Sequence, residues 1–306
     1  MAGHAPGRAR TKRWSRRTRD ALLAYLLIVP SLLVFGVFVF YPLLRNFRLA
    51  TLRTPPFPNL PKRYVGLDQI REVLGSWEFG NSLKVTLVFA LITVPAGIVL
   101  GLLLAVLAHQ RLAGMAIYRT IFSSTVASSV AVASVIFFTF LNPQIGLINY
   151  WFGREGQLSP LDDPKWALVA VAGVTIWQNL GLSFILMSSG LQSVSDELLD
   201  AAAVDGAGSW TRFRRVTIPM LSPTLFFAGV VGGIIAFQSF GQIDFLTQGG
   251  PPRDETNVLV YAIYRATFQQ ANEGKAAVLA IALFVITFVL TLIQIRVLER
   301  RVTYGS

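Results

Sequence analysis

The stretch DAAAVDGAGSWTRFRRVTIPMLSP, Asp200 to Pro223, is polar and broken by glycines, yet it lies between two of the most apolar segments of the chain. Its local chemistry predicts order rather than a loose connector. Just upstream, Ser195 is placed to cap a helix, and Asp196 and Glu197 follow in the first turn, where acidic side chains favour the positive end of the helix dipole. The run Leu198 to Val204 is helix-forming, with Leu198 and Ala202 four apart, and Leu199 and Ala203 likewise. Gly206 supplies a residue that takes the left-handed conformation and ends the helix. Ser209 is then expected to cap a second short helix through Trp210, Thr211, Arg212, Phe213 and Arg214, and Pro219 and Pro223 restart the chain into the next apolar run. Two physical readings of this helix pair stand side by side. The small side chains of Ala201, Ala202, Ala203 and Ala207 suit insertion into a pocket on another protein, with Trp210 and Phe213 as an aromatic anchor. Alternatively, the pair rests on a lipid surface with Arg212, Arg214 and Arg215 near the head groups.

The rest of the chain reads as a solute of the bilayer. Of 306 residues, 53% are hydrophobic and only 14% charged, against about 25% charged in soluble domains. A span needs about 20 mostly apolar residues. Six uncharged runs qualify: Ala21–Leu44, Val85–Ala108, Ile121–Leu141, Ala167–Ser189, Leu221–Phe240 and Ala276–Ile295. The fold class expected is therefore an all-α membrane protein with six spans. A basic tail occupies residues 1–20, the spanning domain 21–296 (with the polar module at about 195–219), and a second tail 297–306. The first run is too long for a cleaved signal and lacks a small-x-small site after it, so a retained anchor is expected.

The net charge of +11 does not form a stripe of the kind that binds nucleic acid. Seven of the 27 lysines and arginines crowd into the first twenty positions, and most others flank apolar runs. With that tail inside, 15 fall on the cytoplasmic side and 12 outside, which orients both termini and the Asp200–Pro223 module toward the cytoplasm. Arg45, Arg48 and Arg53 run against the trend.

Several functions are excluded or disfavoured. There is no cysteine, so neither a disulfide framework nor a thiolate site exists. His4 and His109 stand alone, no catalytic constellation or metal site is expected, and no Gly-x-x-x-x-Gly-Lys-Ser/Thr loop occurs. An ion-coupled secondary transporter of a small polar solute is the alternative reading, but such proteins carry ionisable groups inside their spans and these spans carry none. A membrane-embedded enzyme fits less well, as does an assembly scaffold.

Neutral polar residues do enter the spans. Gln178, Asn179 and Ser183 lie in the fourth; Gln238, Ser239 and Gln242 lie at the end of the fifth and just past it. Buried amides and hydroxyls need partners, which either a passing polyol or a neighbouring helix supplies. Gly97 with Gly101, and Gly229 with Gly233, form two Gly-x-x-x-Gly motifs that permit close helix approach.

The Asp200–Pro223 stretch closely resembles the cytoplasmic signature of the membrane subunits of binding-protein-dependent ABC importers. That pattern runs Glu-Ala-Ala, three residues ending in Asp-Gly-Ala, then a spaced Phe, Ile or Val, Leu/Ile-Pro and a final Pro. Asp205, Gly206, Ala207, Phe213, Val216, Pro219 and Pro223 stand at its positions, and Asp200 replaces the usual Glu, keeping the charge but shortening its reach by one methylene. A second match, LTQGGPPRDETNVLVYAIYRATF from Leu246 to Phe268, looks like the Thr-x-Gly-Gly-Pro loop of carbohydrate-type importers and favours the first of their two permease subunits. YVGLDQIREVL, Tyr64 to Leu74, is similar to the external helix after the first span.

The resemblance implies a type I importer fold in the inner membrane of a prokaryote, carrying a sugar or glycerol-phosphate-like solute. It implies a coupling helix at Asp200, Ala201, Ala202, Ala203, Asp205, Gly206, Ala207, Trp210, Phe213 and Pro219, docked on a separate ATPase. Substrate contacts are implied in the fourth and fifth spans, and a loop at Thr247, Gly249, Gly250 and Pro251 facing an external binding protein. The implied partners are a second permease subunit, two copies of the ATPase, that binding protein and membrane lipid. ATP and magnesium belong to the ATPase, and this chain binds no cofactor.

Overall fold

The structure is a computed structural model; it describes residues 16–55, 60–109, 114–142, 146–147, 150, 159–250 and 254–298. Most of both expected tails, and Pro251, lie outside these residues. The chain divides into two units, 1–48 and 49–306.

The described part of the first unit is helical. Helix α1 (Arg16–Phe35) carries Pro30 internally, passes through a wide π turn at Gly36–Phe40, and continues as α2 (Tyr41–Ala50), whose last residues belong to the second unit. The π turn is closed by Tyr41 N–H donating to Gly36 O, five residues back. The helix extends past the expected end at Leu44 and takes in Arg45 and Arg48.

The second unit opens with two short antiparallel strands, β1 (Leu52–Arg53) and β2 (Arg63–Tyr64), in the register Leu52 to Tyr64. Helix α3 (Asp68–Leu74) follows, within the Tyr64–Leu74 stretch where a helix is expected. Then comes α4 (Trp77–Ala108), 32 residues and about 48 Å long. It is capped by the Ser76 hydroxyl, which accepts from Phe79 N at 3.2 Å. Next are α5 (Met115–Ser124), α6 (Val130–Leu141), α7 (Ala167–Gln192), α8 (Asp196–Val204), α9 (Ser209–Arg212), α10 (Ile218–Met220) and α11 (Ser222–Phe237). The series closes with α12 (Gly241–Leu246), α13 (Leu259–Tyr264) and α14 (Glu273–Leu298).

Four helical stretches are long and apolar enough to cross a membrane: Asp20–Ala50, Trp77–Ala108, Ala167–Gln192 and Glu273–Arg296. Two further stretches qualify only as bent pairs. Met115–Ala127 meets Val130–Leu141 at 103°, and Ser209–Met220 meets Ser222–Phe237 at 63°. The straight third run expected at Ile121–Leu141 is thus broken. Ser128 leaves the helical region (ψ 125°) and Ser129 restarts the chain, its hydroxyl accepting from Val132 N at 3.2 Å. At the second bend Pro223 has no N–H to return to the preceding turn. The expected fifth run, Leu221–Phe240, ends as a helix at Phe237.

Helix α4 packs along α7, and α11 packs on both and on α14. Phe89, Val171, Val174, Ala236, Ile243 and Tyr261 are buried in one core; Ala105, Phe184, Met187 and Leu221 are buried in another. In a bilayer the lipid tails are as apolar as these side chains, so close packing rather than water exclusion must hold the helices together. One close approach of α4 to the backbone of α7 is at Gly101: a Cβ there would stand 2.7 Å from Ser183 Cβ and 2.9 Å from Ser183 C. The second Gly-x-x-x-Gly motif is not used alike. A Cβ on Gly229 would meet nothing within 4 Å, whereas one on Gly233 would stand 3.3 Å from Gln294 Nε2.

Candidate functional site

The module between α7 and α11 is built much as its residues dictate. Ser195 Oγ accepts from Glu197 N at 3.2 Å and starts α8. Gly206 (φ +80°) ends it: Gly206 N–H donates to Ala203 O at 3.1 Å and Ala207 N–H to Ala202 O at 2.9 Å. This pair of bonds is the Schellman arrangement, which requires a left-handed residue at Gly206. The second helix differs in detail from expectation. Gly208 is its N-cap and Ser209 its first residue, with no side-chain cap bond, and beyond Arg212 the backbone widens into a π turn at Phe213–Thr217 that runs into α10. Pro219, in that last turn, is half-buried.

Trp210 and Phe213 stack with centroids 5.7 Å apart and planes at 29°. Trp210 is nonetheless 71% exposed and Val204 88% exposed. Asp200, Ala201, Ala203, Asp205 and Gly206 are exposed, while Ala202, Ala207 and Phe213 are half-buried. The sequence-derived residues thus form one projecting element with large apolar side chains turned to solvent. Among the described residues the Arg212 Nε is buried without a hydrogen-bond partner.

The polar residues of the spans divide into two groups, with Gln238 apart from both. Gln242 Nε2 donates to Gln178 Oε1 at 2.7 Å, and Ser239 Oγ donates to Gln242 Oε1 at 3.1 Å. This chain of three bridges α7 to the α11–α12 corner, with Ser239 and Gln242 buried. Asn179 and Ser183 share a face, as the four-residue spacing predicts, and line a cavity of about 50 Å³ between α4, α7 and α11. Asn179 Nδ2 donates to Thr175 O on its own helix at 2.9 Å. Gln238, at the end of α11, is exposed and joins neither group.

Two hydroxyls that the sequence reading passed over, Thr93 and Thr175, also line the cavity. Each donates to the carbonyl four residues back, Phe89 O at 2.8 Å and Val171 O at 2.9 Å. The repeat Thr175, Asn179, Ser183 at intervals of four was the available signal for the second.

The loop after α12 is tied into a compact turn. Thr256 Oγ1 donates to Gly250 O at 2.6 Å and lies 2.7 Å from the Thr247 hydroxyl; Thr256 N–H donates to Gly249 O at 3.2 Å. Gly249 has φ +82°, and a Cβ on it would lie 2.6 Å from Tyr261 Cε1, so both backbone and space demand glycine. Asp254, itself at φ +63°, is ion-paired with Arg265, and its carbonyl accepts from Asn81 Nδ2 at 3.0 Å. These contacts hold Thr247, Gly249 and Gly250 against α4 and α13.

Comparison with known proteins agrees with this architecture. Residues 97–304 match the family described as binding-protein-dependent transport system inner membrane component. The sn-glycerol-3-phosphate transport system permease protein UgpA of Agrobacterium fabrum is 36% identical over 288 residues, covering 94% of this chain and 98% of that protein. Its counterpart in Rhizobium meliloti is 35% identical with the same coverage. Among solved structures, a chain of a bacterial alginate ABC transporter in complex with an alginate pentasaccharide-bound periplasmic protein superposes with a TM-score of 0.81 at 24% identity. That match covers 96% of this chain and all of the other. A second bacterial ABC transporter, involved in import of the acidic polysaccharide alginate, gives 0.79 at 26% identity over 94% of this chain and 98% of its own. The ion-coupled and enzymatic alternatives are thereby set aside: this chain belongs to the binding-protein-dependent transport system inner membrane components, the permease subunits of ABC importers.

Proposed function

We propose that this chain is one of two membrane subunits of an ATP-driven importer that receives a glycerol-phosphate-like or sugar solute from an external binding protein and passes it inward. The names of its relatives support the glycerol-phosphate class. In this reading the four long helices and two bent pairs are six spans, with both termini cytoplasmic. The module from Asp200 to Pro223 docks on a separate ATPase, present in two copies, which alone uses ATP and magnesium. Gln178, Asn179, Ser183, Gln238, Ser239 and Gln242 border the solute path, and the loop at Thr247, Gly249, Gly250 and Pro251 meets the binding protein.

The observation that carries the docking role is the exposure of Val204 and Trp210 on a module whose backbone is pinned by Gly206. Burying such a side chain is worth about 1.5–3 kcal/mol, so a partner surface over these residues gains what solvent does not. A rigid two-helix element is also the form in which a partner's closure becomes rotation of packed helices.

The test is Gly206→Asp. No atom lies within 4 Å of the added Cβ, so the damage is confined to the left-handed backbone, about 1–2 kcal/mol. Membrane insertion is expected to stay normal while ATPase co-purification and uptake fall together. Normal uptake with an intact ATPase complex would refute the docking role. Screening solutes for stimulation of the reconstituted ATPase then identifies the cargo.

A further inference from the structure

At the end of the bundle from which α8 departs, α4, α5 and α7 leave a crevice of about 220 Å³ between them. Its lining mixes apolar side chains, Phe184 and Ile185 among them, with the polar groups of His109, Arg119, Ser188, Ser189 and Gln192. Among the described residues no aspartate or glutamate lines it. The space far exceeds the roughly 30 Å³ that one water occupies in the liquid. It shares no residue with the Asn179–Ser183 cavity except for a common helix.

Three features of this lining ask for a ligand. Arg119 donates from Nε (3.3 Å) and Nη2 (2.9 Å) to Ala108 O, which fixes the guanidinium over the end of α4. A guanidinium has five N–H donors, so three remain after those two bonds. Among the described residues the Ser188 hydroxyl is buried and has no hydrogen-bond partner, a state that calls for an acceptor. Finally, α4 and α7 both end here, and the last carbonyls of a helix are acceptors bearing partial negative charge.

A small bare anion satisfies the first two features and is opposed by the third. A phosphate ester that also carries hydroxyl or ammonium donors satisfies all three: its oxygens face Arg119 and Ser188, and its donors face the helix-end carbonyls. Exposed apolar side chains on the same helices, Leu107, Ile117 and Ile121, provide a surface along which an acyl chain lies.

We propose that this crevice binds a glycerophosphate group, the chemistry shared by a phospholipid head group and a free polyol phosphate. Gln192 lies three residues before Ser195, the cap of α8. The bound group therefore sits at the root of the projecting module and biases its position. The site is separate from the path along which solute is proposed to pass.

The test uses the full chain purified from its membrane with the subunits that accompany it, stripped of lipid. One arm is titrated with short-chain phosphatidylglycerol, the other with glycerol 3-phosphate, and binding is read by native mass spectrometry. Ser189 is exposed. Ser189→Glu places a negative charge in a crevice that has none and is expected to weaken binding at least tenfold, while Ser189→Gln stays within twofold of wild type. Gln242→Leu, which alters the other site, leaves phosphatidylglycerol binding unchanged. Retention of the lipid alone assigns a head-group site; competition by glycerol 3-phosphate assigns a soluble ester. Wild-type affinity in Ser189→Glu, loss of phosphatidylglycerol binding in Gln242→Leu, or absence of binding by both probes overturns the proposal.

Discussion

Gly101→Ala is the most informative single change in this protein, because the clash it makes is with backbone. The new Cβ would stand 2.7 Å from Ser183 Cβ, 2.9 Å from Ser183 C and 3.1 Å from Phe184 N. Carbon atoms pack at about 3.5–4.0 Å, so α4 and α7 must separate locally by about 1 Å. Overpacking of this kind costs typically about 1–3 kcal/mol. The separation also opens the cavity lined by Asn179 and Ser183. Gly229→Ala is the matched control: it stands in the other Gly-x-x-x-Gly motif, and its Cβ meets nothing within 4 Å. There the substitution is neutral or stabilising by up to about 1 kcal/mol, the helix-interior advantage of alanine over glycine.

The assay is heat-induced loss of soluble protein in detergent, with solute-stimulated ATPase activity of the reconstituted transporter beside it. Gly101→Ala is expected to lower the midpoint and the stimulated rate, and Gly229→Ala to change neither downward. Adding Ser183→Gly to Gly101→Ala removes only the nearest of the three contacts, so less than half of the loss is expected to return. Equal stability of the two single variants, or full rescue by Ser183→Gly, would refute the close packing of α4 on α7 at this point.

Further outcomes follow from the same geometry. Gln242→Leu strands the buried Ser239 hydroxyl and the Gln178 carbonyl, at about 1–3 kcal/mol for an unsatisfied buried group. In a double-mutant cycle Gln178→Leu and Gln242→Leu are expected to be less than additive, by about 0.6 kcal/mol as is usual for hydrogen bonds between membrane helices; strict additivity would mean that the two amides act separately. Asp254→Asn keeps a residue tolerant of the positive φ but removes the charge paired with Arg265. The loss expected is about 1 kcal/mol, seen as faster proteolysis of the Thr247–Asn257 loop, and unchanged proteolysis would show the ion pair to be idle there.

What could be read without a structure was local. The apolar runs near Ala21, Val85, Ala167 and Ala276 become helices because a bilayer leaves each segment no other way to satisfy its own backbone. Ser195 caps, Gly206 turns left-handed and the helix between them follows, because each of these outcomes depends on a few neighbouring residues and on the conformations their backbones allow. Even here the cap of α9 fell to Gly208 rather than Ser209, since either residue permits the extended entry and only the path of the chain selects one.

The relations between distant segments had no such signature. Gln178 and Gln242 are 64 residues apart and meet only because α7 and α12 do. Two identical glycine motifs diverge, one against Ser183 and one partly open, and the third run folds back on itself by 103° at Ser128–Ser129. The reason is the solvent. In water an amphipathic pattern marks the face of a helix that will be buried; in lipid the outer face is as apolar as the inner one, so α4 and α14 reveal by sequence that they are long and apolar enough to cross a membrane but not which neighbour they face. Composition and backbone preference were enough to specify the helices, the turn at Gly206 and the exposed module. The pairing of helices, the bends and the partners of the buried polar groups came only with the tertiary packing.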